Sequence, residues 1–265
     1  VTRMTPPAPE PRIQFLIGGA QKCGTSALAH YLAAHPQLCL PRNKEAHVFD
    51  ALELDAHSTV ASIDAHYADA FDAAPDAALH GALLYGDATP IYLFLPQCIA
   101  RIAHYHPAMR WVVLLREPAE RALSHYRMER ARGWESWPLW PALLLERWRL
   151  RQDATPLAQD SHTRRHSYRA RGDYARQLDV LYAHFPAEQV LLMQSAQLRA
   201  QPAVCVAEVC RFLGVSPPAE GIDYAPVFVG AQPAPARNSL TLRALRWLLR
   251  RERRALRERY GITFD

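Results

Sequence analysis

The stretch Ile13-Gln-Phe-Leu-Ile17, Gly18-Gly19-Ala20-Gln21-Lys22-Cys23-Gly24-Thr25-Ser26, Ala27-Leu-Ala-His-Tyr-Leu32 decides the fold class. An apolar run of strand length leads at once into a glycine-rich turn, and the residues after it carry apolar side chains at helical spacing. Such a turn exposes successive backbone N–H groups at a helix N-terminus, where unpaired donors and the helix dipole together attract a phosphate-like anion. The pattern G-x-x-x-x-G-K-[ST] is met only in part. Gly19 and Gly24 have the spacing and Thr25-Ser26 follows, but the lysine stands early, at Lys22. A P-loop kinase needs that lysine after the second glycine, so the loop keeps an anion cradle and departs from nucleoside triphosphate chemistry. Read alone, the same residues also fit a tight turn with an exposed lysine.

Further along, Trp111-Val-Val-Leu-Leu115, Arg116-Glu-Pro118 and a helical stretch with Arg121, Ser124 and Tyr126 repeat the strand-turn-helix order, with proline suited to a first helical turn. A third apolar strand is expected at Gln189–Met193, and helices around 61–73, 94–106, 139–151, 173–184 and 202–213. Strands alternating with helices predict an α/β fold: a single domain over 13–265 with a central parallel sheet flanked by helices. Residues 1–12 read as a disordered arm, rich in proline and without periodicity.

The composition is that of an ordinary globular protein, with 49% hydrophobic and 22% charged residues in 265. No run approaches the roughly 18 apolar residues of a membrane span, and the first residues lack the apolar core of a signal peptide, so a cytoplasmic setting is expected. Five cysteines without a Cys-x-x-Cys pair fit a reducing compartment. The net charge of +5 favours an anionic ligand. Of 31 basic residues only Lys22 and Lys44 are lysine, which marks both as places where a compact ammonium is wanted. His104 with His106, and His162 with His166, are read as exposed histidines and not as a metal site.

Gln21-Lys22-Cys23-Gly24-Thr25-Ser26 resembles the Q-K-x-G-T-[TS] loop of sulfotransferases that use 3′-phosphoadenosine 5′-phosphosulfate (PAPS). Lys44-Glu45-Ala46-His47-Val48-Phe49-Asp50 resembles the K-E-x-H-F-F segment of the heparan-type glycan enzymes, and Gly86-Asp-Ala-Thr89-Pro90-Ile-Tyr92 their E-K-[ST]-P-x-Y segment. Arg116-x-Pro118-x-x-Arg121-x-x-Ser124-x-Tyr126, Gly172-Asp-Tyr174 and Phe212-Leu-Gly214 match later landmarks, so the likeness spans about residues 14–215. It implies a P-loop-like sulfotransferase fold of bacterial type, with PAPS as co-substrate and no metal required.

Sulfuryl transfer spreads negative charge between an attacking and a leaving oxygen, and fixed positive charge and backbone donors there lower the barrier. The resemblance assigns Lys22 that role, with Gln21, Cys23, Gly24, Thr25 and Ser26 holding the 5′-phosphosulfate. It makes Glu45 the general base toward the acceptor, and His47 a group that orients the acceptor or shares the proton work. Arg116, at the carboxyl end of its strand, and Ser124, two helical turns on, take the 3′-phosphate. Arg121 is expected as a structural ion pair or a solvated face. Two departures stand out. Ala88 replaces a lysine that the glycan enzymes place beside the acceptor, and Gly230–Ser239 replaces their cysteine-bridged loop, with Arg237 as the closing contact to the 3′-phosphate. The acceptor is expected to be a small molecule or a carbohydrate or lipid-linked group, and no nucleic acid partner is expected. Segment 134–170, rich in Trp, Arg and His, reads as an acceptor-binding lid. From Leu240 to Tyr260 the chain reads as one basic amphipathic helix with eight arginines, packed on the domain or docked on an anionic membrane. Rival readings are a P-loop kinase-like phosphotransferase and a non-enzymatic basic anion-binding module.

Overall fold

A strand covered on both faces needs no polar alternation, and this chain has two of them side by side. In the computed structural model, which describes residues 12–55, 57–71, 83–216, 222–225 and 239–264, β1 (Ile13–Gly19) and β4 (Arg110–Leu115) form the centre of the sheet. Ile13, Phe15, Leu16 and Ile17 are fully buried, as are Trp111, Val112, Val113 and Leu114. With β2 (Leu38–Cys39), β3 (Leu84–Asp87) and β5 (Val190–Gln194), they make a five-stranded sheet in the order β2-β3-β1-β4-β5. Every pairing is parallel; Leu16 lies opposite Asp87 on one side and Trp111 on the other.

The crossovers are α1 (Thr25–Ala33), α2 (Val60–His66), α3 (Pro96–Tyr105), α4 (Pro118–Ala131), α5 (Leu139–Leu144), α6 (Glu146–Leu150), α7 (His162–Arg165) and α8 (Tyr174–His184). After β5 come α9 (Ser195–Ala200), α10 (Pro202–Leu213), α11 (Leu240–Leu248) and α12 (Arg250–Tyr260). Proline opens α3, α4 and α10, where its missing N–H costs nothing. Glu117 caps α4 by accepting from the Glu120 N–H at 3.0 Å. The helix expected over 139–151 is divided at Leu145 into α5 and α6.

β1 runs two residues beyond its expected end, which changes the meaning of the first glycine. A Cβ on Gly19 would lie 2.5 Å from the Leu93 side chain, so Gly19 is required by close packing and not by a ligand.

The C-terminal segment is two helices and not one, meeting at Leu249. Leu242, Leu245 and Leu249 are buried against Ala119, Ala122, Leu123, Leu143 and Tyr168 in a second, smaller core, and Leu256 joins the main one. The apolar face is therefore covered by the domain, and a membrane contact through this segment would rest on its arginines and on exposed Trp247.

Segment 134–170 is braced internally by buried charge. Glu135 accepts from Arg149 at 2.6 and 3.3 Å and from the Tyr168 hydroxyl at 2.8 Å. Glu146 accepts from the backbone N–H groups of Arg169 at 2.6 Å and Ala170 at 2.8 Å, while burial raises its pKa to about 7.

Candidate active site

The loop between β1 and α1 is shaped by its backbone. Lys22 has φ 71° and Gly24 φ 97°, both in the left-handed region, and Gly24 caps α1 without a side-chain bond to the first-turn N–H groups. Two contacts clamp the turn. Arg171, fully buried, donates to Gln21 Oε1 at 2.7 Å, and Arg116 Nη1 reaches the Lys22 carbonyl at 3.5 Å. The Cys23 thiol points into the core, 3.6 Å from the Tyr174 hydroxyl, and burial raises its pKa, so only its backbone is left for a ligand. Thr25 is buried in the first turn of α1 and Ser26 half-buried beside it.

Lys22 sits among like charges. Burial lowers its pKa, and Arg132, Arg116 and Lys44 add to the effect while Glu129 opposes it. An anion arriving here relieves that repulsion.

Lys44, which acts electrostatically on Lys22, opens the segment Lys44–Asp50. Lys44 and His47 also have positive φ, 58° and 55°, so three non-glycine residues of the site share the left-handed region, which L-residues adopt at a cost of about 1–2 kcal/mol each. The turn is held from beneath by Asp87, which is fully buried and accepts from Tyr67 at 2.9 Å, Tyr92 at 2.8 Å, Thr89 at 2.7 Å and the Ala46 N–H at 3.3 Å. Thr89 in turn accepts from the His47 N–H at 3.3 Å. Ala88 is fully buried and its N–H donates to the Lys44 carbonyl at 3.3 Å, so this position supports the turn and offers nothing to an acceptor.

Glu45 and His47 form the centre of a charge chain: Lys44 Nζ lies 2.6 Å from Glu45 Oε1, His47 Nε2 3.3 Å from Glu45 Oε2, and His47 Nδ1 2.9 Å from Asp50 Oδ2. Arg164 Nη1 completes it, 2.6 Å from the same Asp50 oxygen. Burial alone would raise the Glu45 pKa, but the bonds from His47 and Lys44 outweigh it and bring it to about 2. Burial alone would lower that of His47, and the bonds to Asp50 and Glu45 raise it to about 9. At neutral pH Glu45 is a carboxylate and His47 an imidazolium. In that form His47 is placed to orient Glu45. Because its folded pKa lies above its ordinary 6.5, its contribution to stability is complete below pH 6.5 and is lost as pH rises through about 9. NMR titration of the ring is expected to show a midpoint near 9, and Asp50→Asn to move that midpoint down; a wild-type midpoint near 6.5 would contradict the assignment.

Arg116 stands at the end of β4, where Glu120 Oε2 accepts from its Nε at 3.2 Å and its Nη2 at 3.1 Å. The Tyr174 hydroxyl donates to its carbonyl at 2.9 Å, which ties the Gly172-Asp-Tyr174 landmark to the loop. Ser124 is half-buried on α4, and Arg237 lies outside the described residues. Arg121 is fully buried and not solvated; among the described residues it has no ion pair, it donates to the Tyr168 carbonyl, and its Nε and Nη1 have no hydrogen-bond partner. The histidine pair is not exposed either. His166 is buried, its Nδ1 2.8 Å from that of His162 and its Nε2 3.0 Å from the Trp134 carbonyl. Sequence reasoning missed Asp50, Asp87, Arg164 and Arg171. Asp50 and Asp87 lie within the segments matched above, whereas Arg164 and Arg171 carried no local signal.

A profile of the family described as "Sulfotransferase domain" matches residues 12–224. The human bifunctional heparan sulfate N-deacetylase/N-sulfotransferase 3 is 30% identical over 207 residues, 77% of this chain and 22% of that protein. The membrane-associated sulfotransferase kil1 of Dictyostelium discoideum is 33% identical over 112 residues, 42% of this chain and 22% of its own length. Against these curated relatives the chain thus spans about a fifth of their length. Among solved structures, a sulfotransferase from Alicyclobacillus acidocaldarius superposes with a TM-score of 0.70 at 27% identity, covering 96% of this chain and 97% of that one. With a family profile matched along most of its length, this chain belongs to the sulfotransferase family.

Proposed function

We propose that the enzyme takes its sulfuryl group from PAPS and delivers it to a hydroxyl or amine on a carbohydrate, lipid-linked or natural-product acceptor. One observation carries this reading: a lysine crowded by positive charge and an ionised carboxylate are linked through Lys44, which pairs with Glu45 and acts electrostatically on Lys22. The donor's residues fit. The first-turn N–H groups of α1 and Lys22 suit a 5′-phosphosulfate, and Arg116, with a planar fork of donors, suits the 3′-phosphate beside it. When bound, the donor supplies the sulfuryl group; the chain's residues neutralise and orient. Lys22 offsets charge gathering on the transferred group and the leaving oxygen. Glu45 accepts the acceptor proton. Although a carboxylate of pKa about 2 is a weak base, the acceptor's O–H becomes strongly acidic as its oxygen bonds to sulfur and the bond from sulfur to the leaving phosphate oxygen breaks. The five unpaired cysteines support a reducing, cytoplasmic setting.

The reading is tested by calorimetric titration with adenosine 3′,5′-bisphosphate, and with ATP in the presence and absence of magnesium. Metal-independent binding of the bisphosphate is expected, weakened about 10- to 100-fold by Arg116→Ala, the range of a charged hydrogen-bonded contact. A preference for magnesium-ATP would favour a kinase-like phosphotransferase, and binding of no nucleotide by folded protein would favour a basic anion-binding module.

A further inference from the structure

The helix pair α5 and α6 has its polarity reversed. Helical hydrogen bonding carries across the division at Leu145, whose N–H donates to the Pro141 carbonyl at 3.0 Å and whose carbonyl accepts from the Arg149 N–H at 3.1 Å. The buried residues are Ala142, Leu143, Glu146 and Arg149, so the charged side chains are taken inward, Glu146 being only 3% exposed. The exposed ones include Trp140, Leu144, Leu145 and Trp148, with Leu144 and Trp148 each at 57%. A surface helix that meets only water turns its apolar stripe to the core and its charges out. Here the spacing of four residues between Trp140, Leu144 and Trp148 sets an apolar face outward instead. Trp148 is held there by stacking on Trp137, with 6.4 Å between ring centres and 16° between planes.

The charge around this face has one sign. Between residues 130 and 152 the exposed charged side chains are Arg130, Arg132, Arg147 and Arg151, while both acids of that stretch, Glu135 and Glu146, are buried. The neighbouring helix α11, whose Leu242 and Leu245 share the second core with Leu143, repeats the composition: Leu240 and Trp247 are exposed, and the Arg250 guanidinium lies 4.1 Å over the Trp247 ring.

We propose that the outward face of α5 and α6 docks on an anionic lipid bilayer, its Trp and Leu side chains entering the headgroup region and Arg147 and Arg151 meeting lipid phosphates. Tryptophan, leucine and arginine together suit that boundary, where an aromatic ring finds an apolar side and a wet one and a guanidinium finds phosphate. A bilayer also receives an exposed apolar face without a groove shaped to match it. A second copy of this chain fits poorly, because a self-complementary contact would set Arg147 and Arg151 against like charges. No helix among the described residues is long and apolar enough to cross a membrane, so the contact is one of lying on the surface. The inference stands apart from the donor and acceptor assignments.

The test is co-sedimentation of the full chain with vesicles of phosphatidylcholine alone and of phosphatidylcholine mixed with phosphatidylglycerol, with soluble polyglutamate as a third arm. The wild type is expected to partition onto the mixed vesicles and only weakly onto phosphatidylcholine. Leu144→Ser/Trp148→Ser is expected to lose about tenfold or more of that partitioning, the scale of two exposed apolar side chains that would otherwise be buried in lipid. Leu144→Ser/Leu145→Ser, which spares the tryptophan stack, should lose a comparable share. Arg147→Gln/Arg151→Gln is expected to lose about 10- to 30-fold on the mixed vesicles, at about fivefold per arginine, and Arg147→Lys/Arg151→Lys to keep most of it. Val204→Ala, at an exposed apolar side chain on α10, should leave partitioning unchanged. A wild type that stays in solution with the mixed vesicles overturns the inference, as does undiminished partitioning in the folded serine variants. Binding to polyglutamate without binding to vesicles overturns it in favour of an acidic polypeptide partner.

Discussion

Lys22→Ala is expected to reduce turnover by about 100- to 1000-fold, the loss associated with removing one preorganised donor from a site of charge development. The fold should survive it. The turn around Lys22 is held by the bond from Arg171 to Gln21 and by the reach of Arg116 to the Lys22 carbonyl, neither of which uses the lysine side chain. Lys22→Arg should recover little, because a planar guanidinium presents its donors in a fork where a compact ammonium is wanted, in a chain that uses arginine at all but two of its basic positions. The comparison to make is kcat beside thermal melting. A kcat within threefold of wild type in a protein of unchanged melting temperature would remove Lys22 from the chemistry.

Glu45→Gln is expected to cost about 100- to 10,000-fold in kcat, the range for loss of a positioned proton acceptor. The amide has the shape of the carboxylate and cannot take the proton. The pH profile separates this role from a structural one. With Glu45 ionised above about pH 2, the wild type should show no acidic limb from this residue in the usual assay range. Its alkaline limb should lie near 9, where His47 loses the proton that orients Glu45. In Glu45→Gln, His47 loses one of its two carboxylate partners, and its midpoint should fall toward the ordinary value. Substantial activity in Glu45→Gln, with an alkaline limb still near 9, would assign the proton to another acceptor.

The order of β1, glycine loop and α1, the turn from β4 into α4, and β5 were all legible in the sequence, because buried parallel strands and the turns after them leave unbroken apolar runs and well-placed Gly and Pro. β2 and β3 were not. β2 is two residues long, and β3 reads Leu-Tyr-Gly-Asp, with two residues typical of turns; it is a strand because the sheet supplies a partner on each side. The division of the C-terminal segment at Leu249 had no glycine or proline to announce it. Lys22, Glu45, His47 and Arg116 were singled out because short motifs carry them. What positions them was invisible, since it comes from far along the chain: Arg171 reaches Gln21 across 150 positions, and Arg164 reaches the Asp50 carbonyl across 114. The reading of Arg121 as a charge on a surface or in a pair failed for a related reason. A helix face is solvated or buried according to what packs on it, and here the 134–170 segment supplies Tyr168 and the C-terminal helices complete the second core beside it.

The three left-handed backbone positions at Lys22, Lys44 and His47 set the terms on which this enzyme can be made more robust. Glycine adopts such φ values without the Cβ penalty, so selection for thermal tolerance alone would favour glycine at all three positions. Each replacement would delete a charged group from the site. Thermostability engineering guided only by backbone statistics would therefore remove, along with the strain, the side chains to which the proposed function assigns the chemistry.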